Sequence, residues 1–312
     1  MRSDIRTGVE VVVLGAAAVD MVARVPSLPA ADSIVAASSF AIYPGGANAN
    51  VCEALAKLGS RVVFLGKVGD DEGGRLLVDS FKKSGVDTRG IKVVTGAHSA
   101  SCFITVDELG NRTIVGLPGV ATLEEPGELD TSLLDGIRIL YIGDALPKVA
   151  CVAAETAHKN GAKVFYGVGG VMASFGLSFL ASILKMTDVL VLSRNETLAL
   201  AGNENLSQAM QILAGLGPEV VITTLGSEGA RLFTSGMEEH IAAWQGTAVV
   251  DTTGAGDAFI AGLIKGYLEG KNWREAICLG CAVAAIKIGH IGARSGLPSR
   301  KQVDDFMERA KK

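Results

Sequence analysis

The chain has 312 residues, with 29 Lys and Arg against 33 Asp and Glu, a formal charge of −4 and an isoelectric point near 5.7. That balance argues against a general nucleic-acid binder, which needs a basic surface to displace counterions from phosphates. A hydrophobic share of 48%, a charged share of 20% and a mean hydropathy of +0.36 exclude a disordered, collagenous or coiled-coil chain.

In chain order, the first apolar run, residues 11–19, is far shorter than the roughly 20 residues a spanning helix requires. Arg2 and Arg6 ahead of it give a faint likeness to a secretion signal. Glu10 and Asp20 bracket the run, however, and a buried first strand is the better reading. Further β-branched runs at 61–66, 137–143, 163–167, 188–193 and 219–225 alternate with helical patterns at 50–58, 72–83 and 149–159, closed by Gly59, Gly85 and Gly161. Continuous rather than alternating apolarity means burial on both faces of a strand, and this grammar is that of parallel βαβ units. The expected fold is α/β, a parallel-core sheet flanked by helices, in one domain over residues 1–312.

Two stretches depart from the pattern. Residues 21–43 are rich in Pro and Ser, and residues 99–116 place Asp107, Gly110 and Asn111 between two short β-like runs. Both read as antiparallel strands that together form a small inserted sheet, a lid over the carboxyl edge of the main one. The last helical pattern, residues 300–312, mixes both signs of charge and reads as a solvated face.

Five scattered cysteines, Cys52, Cys102, Cys151, Cys278 and Cys281, make no disulfide framework and fit a reducing, cytoplasmic setting. Cys278 and Cys281 have the spacing of half a zinc site, but no second pair completes it. His98, His158, His240 and His290 share neither metal spacing nor a nucleophile partner. Neither a P-loop nor a dinucleotide fingerprint is present.

Two glycine-rich passages carry the chemistry. In Asp251-Thr252-Thr253-Gly254-Ala255-Gly256-Asp257 a small-residue turn opens into a helix, so the amides of Gly254, Ala255 and Gly256 can converge on an anion with help from the helix dipole. A carboxylate there, Asp257, makes sense if it accepts a proton from an attacking hydroxyl; otherwise it is a capping residue. In Pro44-Gly45-Gly46-Ala47-Asn48-Ala49-Asn50, paired glycines let backbone approach a ligand and Asn50 offers both donor and acceptor. Asp20, at the end of the first strand, suits hydroxyl binding or a solvated turn equally. Arg112 and Lys148 read as exposed basic residues without a specific role.

Together these segments resemble the ribokinase (PfkB) family of sugar kinases over nearly the whole chain. Gly45, Gly46, Asn50, Gly59, Gly66 and the passage 68–73 are similar to its first signature, and residues 251–259 to its second. The resemblance implies a Rossmann-like core with a β lid, ATP and magnesium, and transfer of the γ-phosphoryl group to a hydroxyl of a small sugar or polyol. It implies Asp257 as base, Gly254, Ala255 and Gly256 as anion hole, and Asp20, Gly45, Gly46, Asn50 and Asp144 as substrate contacts. Asn195 and Glu196 would lie on the phosphate and magnesium side, and Thr224 and Gly226 beside the nucleotide. Some members bind a monovalent cation, which would place potassium at Asp251 and Thr253 beside the loop 292–298.

The departures are Leu198 where the family carries a glutamate, Ala18 where ribokinases carry an asparagine, and Asn48 where a small residue is usual. A nucleoside kinase, with Ala16, Ala17, Ala18, Phe40 and Ile42 as an apolar lid face for a nucleobase, and a catalytically silent sugar sensor are the alternatives. An exposed apolar lid face would be covered in a homodimer.

Overall fold

The computed structural model describes residues 8–310; Arg2 and Arg6 lie outside them. The chain opens with β1 (Val11–Leu14), β2 (Ala18–Arg24), β3 (Ser39–Gly45), α1 (Ala47–Lys57), β4 (Val62–Gly69), α2 (Glu72–Lys83) and β5 (Ile91–Val94). Next come β6 (Ser101–Val106), β7 (Arg112–Leu117), β8 (Ile139–Ile142), α3 (Pro147–Lys159), β9 (Lys163–Gly167), α4 (Gly170–Ser174) and α5 (Leu177–Leu184). Then follow β10 (Val189–Ser193), α6 (Arg194–Ala201), α7 (Leu206–Ala214), β11 (Val220–Thr224), β12 (Ala230–Thr234) and β13 (Met237–Ile241). Helices α8 (Ala255–Leu268), α9 (Trp273–Lys287) and α10 (Arg300–Arg309) close the chain.

The main sheet has nine strands in the order β13-β12-β11-β10-β9-β8-β1-β4-β5, parallel except for β12 and β13 at one edge. Its strands are buried on both faces, as their continuous apolarity requires. On β1, Val11 and Val13 belong to the core that α1, α8 and α9 cover, whereas Val12 and Leu14 belong to the core on the other face, covered by α3, α5 and α7. The chain therefore leaves β1 for one face and β8 for the other, and the crevice between their carboxyl ends is a topological switch point. Gly59, Gly85 and Gly161 all take positive φ, ending their helices where the sequence places the stops.

The small sheet has the order β3-β2-β6-β7; its first stretch, Ala18 to Gly45, exceeds the expected 21–43 at both ends, and its second, Ser101 to Leu117, starts two residues later and ends one later than the expected 99–116. Its hairpin pairs are antiparallel, but β2 and β6 run parallel, a correction to the all-antiparallel expectation. The reason is connectivity: β6 returns to the lid only after β4, α2 and β5, so no hairpin fixes its direction.

Helix α8 is seated by backbone contact with α9. A side chain at Gly262 would fall 2.7 Å from the Gly280 Cα, and one at Gly266 would fall 2.7 Å from the Ala276 Cα. Such close approach gives the start of α8, and what it carries, a fixed place.

Candidate active site

Helix α8 begins abruptly because Gly254, its N-cap, is left-handed (φ 77°), and a side chain there would lie 2.7 Å from the Ala293 carbonyl oxygen. The amides of Gly254, Gly256 and Asp257 have no acceptor among the described residues, and they sit at the positive end of the helix. The Ala255 amide differs from expectation: it donates to the Thr252 carbonyl at 3.1 Å and closes the turn. In this conformation Gly254 and Gly256 supply free amides and Ala255 does not.

Asp257, in the first turn of α8, is partly exposed. Its Oδ2 accepts from Asn50 Nδ2 at 2.8 Å. Burial pushes its pKa up to about 6; Asn50 and Arg294 pull against that, while Asp144 and Asp20 reinforce it. Such a carboxyl is ionised at neutral pH yet basic enough to receive a proton.

Asn50 is itself held by a residue that the sequence reading missed. Arg294 Nε donates to Asn50 Oδ1 at 2.8 Å, and Nη2 donates to the Gly45 carbonyl at 2.7 Å. Its Nη1 pairs with Glu53 and donates to Ser80 Oγ at 3.1 Å, and its guanidinium stacks over Phe81 at 5.6 Å. Ser80 and Ser84 hydroxyls donate to the Glu53 carboxylate at 2.6 and 2.9 Å. Arg294 and Glu53 are both buried, so one ion pair with full hydrogen bonding aims the amide that meets Asp257. The only signal in the sequence is a lone arginine among small residues between Gly292 and Gly296, 244 positions from Asn50.

Across the crevice, the Asp20 carboxyl lies so close over Gly45 that any side chain at position 45 would displace it. Gly46 caps α1 with φ 92°, its backbone against Ala17. Burial pushes Asp20 up to about 6 against the pull of Arg294 and Arg112. Asp144, just past β8, is also pushed up to about 6, by burial and then by Glu196. Its Oδ1 is buried with no hydrogen-bond partner among the described residues, an acceptor free for a ligand hydroxyl. Asp20, Gly45, Gly46, Asn50, Asp144 and Asp257 thus meet at the switch point.

Asn48 does not enter the pocket. It is buried, and its Oδ1 accepts from the amides of Ala16 and Asp144 at 3.1 and 3.0 Å, joining the ends of β1 and β8. Side chains at Gly15 or Gly143 would collide with it, so the three residues form a matched set. Phe40 and Ile42 are likewise misplaced for a nucleobase. Strand alternation puts them on the lid face opposite Asp20, whereas Val22, Cys102 and Ile104 share its face.

Beyond Asp257 lies a largely apolar cavity of about 300 Å³, bounded by Thr224, Gly226, Trp244, Gly256, Ala284 and Ile288. It joins the predicted nucleotide side to the start of α8. Asn195 is exposed at the start of α6 and does not line it. Glu196 is partly committed, since its Oε2 accepts from the Ser193 amide at 2.7 Å in a capping box.

Asp251 spreads its carboxylate over the amides of Thr253 and Gly292, at 2.8 and 2.7 Å. Burial opposes its ionisation, but those bonds outweigh it and hold the group below the usual carboxylate range. Arg112 departs from its expected idleness: it reaches from the lid to donate to Thr253 Oγ1 at 2.7 Å. Lys148 pairs with Glu125 at the surface. All five cysteines are free.

Residues 9–300 match the profile of the pfkB family carbohydrate kinases. The chain belongs to this family. An uncharacterized sugar kinase of Archaeoglobus fulgidus is 35% identical over 247 residues, 78% of this chain and 98% of that protein. An ATP-dependent ribose-1-phosphate kinase of Halopiger xanaduensis is 30% identical over 92% of this chain and 94% of its own. Among solved structures, Arabidopsis thaliana ribokinase complexed with ribose and ATP superposes with a TM-score of 0.87 at 25% identity, covering 97% and 99% of the two chains. This pfkB-family carbohydrate kinase has the ribokinase-like fold and is an ATP-dependent sugar or nucleoside kinase. No helix among the described residues is long and apolar enough to cross a membrane.

Proposed function

We propose that this kinase moves the γ-phosphoryl group of ATP to a hydroxyl of a small sugar or sugar-like polyol, with Asp257 as the base. The observation that carries the reading is the placement of Asp257 between free helix-start amides on one side and Asn50 and Asp20 on the other. Asp20 and the unpartnered Asp144 Oδ1, both partly buried acceptors, and the buried Asn50 amide fit a polyol, because they offer its hydroxyls acceptors and a donor. Asp257 orients the attacking hydroxyl and receives its proton, and the Gly254 and Gly256 amides face the charge on the transferred group. Ala255 would join them if its turn bond to Thr252 opened. The apolar cavity beside Thr224 and Gly226 accommodates the adenine end of the nucleotide.

Magnesium enters as the metal of the ATP chelate. Asp144 and Glu196 would favour it electrostatically, since the two carboxylates are close enough for Glu196 to push the Asp144 pKa up. Asn195 stands one residue before Glu196 on the same helix start and would face the phosphates.

Arg112 favours a second reading, an acceptor that itself bears a phosphate or carboxylate. The guanidinium stands beside the anion site and near Asp20, on the cleft face of the lid. The ribose-1-phosphate kinase among the relatives is named for such a substrate. Rates with MgATP on free sugars and polyols, their phosphates and nucleosides, for the wild type and Arg112→Met, separate the two. A variant that loses only the anionic acceptors supports the second reading. One that slows every acceptor alike assigns Arg112 to the transferred phosphoryl group. Absence of a phosphorylated product throughout contradicts both.

We also propose that a second copy covers the lid face opposite Asp20. Pairing register sets Ile42, Met21, Phe103 and Val115 side by side there, and Ile42, Phe103 and Val115 are exposed by 52%, 38% and 55%.

A further inference from the structure

The loop that builds the anion site rests on a charge belonging to the chain. Lys287, the last residue of α9, is completely buried. Its ammonium donates to the Asp251 carbonyl at 2.9 Å and lies 3.5 Å from the His290 carbonyl. Among the described residues no carboxylate forms an ion pair with it; the nearby Asp251 carboxylate is already engaged by the amides of Thr253 and Gly292. Burying an ammonium without a carboxylate partner is unfavourable, and an apolar residue at this helix end would avoid it.

The place of the ammonium explains its retention. Its two acceptors belong to the two segments that meet at Gly254: residues 250–254, which lead into α8, and residues 288–296, which follow α9. Val250 and Asp251 amides bond to the Ile288 carbonyl, and Gly254 rests against Ala293. Backbone carbonyls converging on a positive charge, with a carboxylate alongside, form the kind of oxygen cage that a monovalent metal ion takes.

Potassium at Asp251 and Thr253, which the family resemblance raises, does not fit these residues. The Asp251 carbonyl is occupied by Lys287 and both carboxylate oxygens by amides, and a metal ion at the same carbonyls would face the ammonium as a like charge. We infer that the Lys287 ammonium is a tethered monovalent cation that positions the anion-hole loop, and that this kinase works without potassium. The inference deepens the kinase reading above and rests on it for its effect on rate.

Two readouts test it. One is the melting temperature in KCl, NaCl and choline chloride at equal ionic strength; the other is the phosphotransfer rate in the same salts. Both are measured for the wild type, Lys287→Met and Lys287→Arg. The wild type should show the same melting temperature and rate in all three salts. Lys287→Met should lose rate on the order of 10²-fold, as when one oxyanion contact is removed. It should regain part of that rate with potassium or ammonium, and melt higher in KCl than in choline chloride. Lys287→Arg, which keeps the charge, should stay indifferent to potassium.

A wild-type rate or melting temperature that rises specifically with potassium overturns the inference and leaves the kinase reading standing. So does a folded Lys287→Met with undiminished rate in choline chloride. If no acceptor is phosphorylated, the kinase reading fails, while salt-indifferent melting of the wild type beside potassium-dependent melting of Lys287→Met still supports the tethered cation. Should Lys287→Met not fold, the wild-type salt series decides alone.

Discussion

The Asp257 carboxyl is held where ionisation is disfavoured, by burial and by the nearby Asp144 and Asp20, while Asn50 and Arg294 ease it. Replacing it should therefore separate stability from activity. Asp257→Asn is expected to cut turnover by at least about 10²-fold. In the free protein it should raise the melting temperature at neutral pH, because a strained charge is removed. The pH dependence has two opposite signs. In the unfolded chain an aspartate binds its proton only below about 4, whereas Asp257, Asp20 and Asp144 keep theirs up to about 6. Between those values the native state binds more protons, so stability is lost as pH rises through about 6. Asp71 and Glu128, both held at about 2, act oppositely and lose their contribution only as pH falls below about 4. Calorimetry of the free protein should thus give its highest melting temperature near pH 4, while kcat/KM climbs through about 6 as the base ionises. Arg294→Met leaves the buried Glu53 unpaired and should cost about 3–5 kcal/mol by denaturant unfolding. Glu53→Gln in the same chain should return part of that loss. Asp257 and Asn50 were legible because each sits in a glycine-rich turn beside a helix. Arg294 and Lys287 were not, since their partners are distant in sequence and their role exists only after packing.

Among the elements, the turn into α8 is the most constrained. Gly254→Ala meets both a positive φ and the Ala293 carbonyl. A folded variant with a turnover loss on the order of 10² to 10³ is expected, together with a destabilisation of about 1–2 kcal/mol from the left-handed backbone. A full-rate variant in circular dichroism and steady-state assays would dissociate the turn from the chemistry. The strands of the main sheet were readable because burial on both faces leaves an unbroken apolar run. The edge pair β12 and β13 was not, since its strands mix Arg231, Glu238, Glu239 and His240 with apolar residues and pair antiparallel. The parallel pairing of β2 with β6 escaped for another reason. Local pattern sets which face of a strand is buried, but the direction of its neighbour is set by how the chain returns.

For the whole molecule, the lid brings Asp20 and Arg112 over the crevice and leaves Ile42, Phe103 and Val115 on its other side. Sedimentation should show a dimer that Phe103→Asp dissociates; a wild-type monomer at all concentrations would remove the proposed lid pairing. The fold itself was legible as a succession of βαβ units, and the crevice followed from the switch between β1 and β8. The substrate was not, because specificity depends on where lid side chains point, as the outward placement of Phe40 and Ile42 illustrates. The most direct measurement of the central claim is ADP release with MgATP across sugars, polyols, sugar phosphates and nucleosides, with wild type and Asp257→Asn side by side. Turnover of one acceptor class that falls at least about 10²-fold in Asp257→Asn is the predicted result. Equal turnover by the two proteins, or tight binding of an acceptor with no turnover by the wild type, would contradict it.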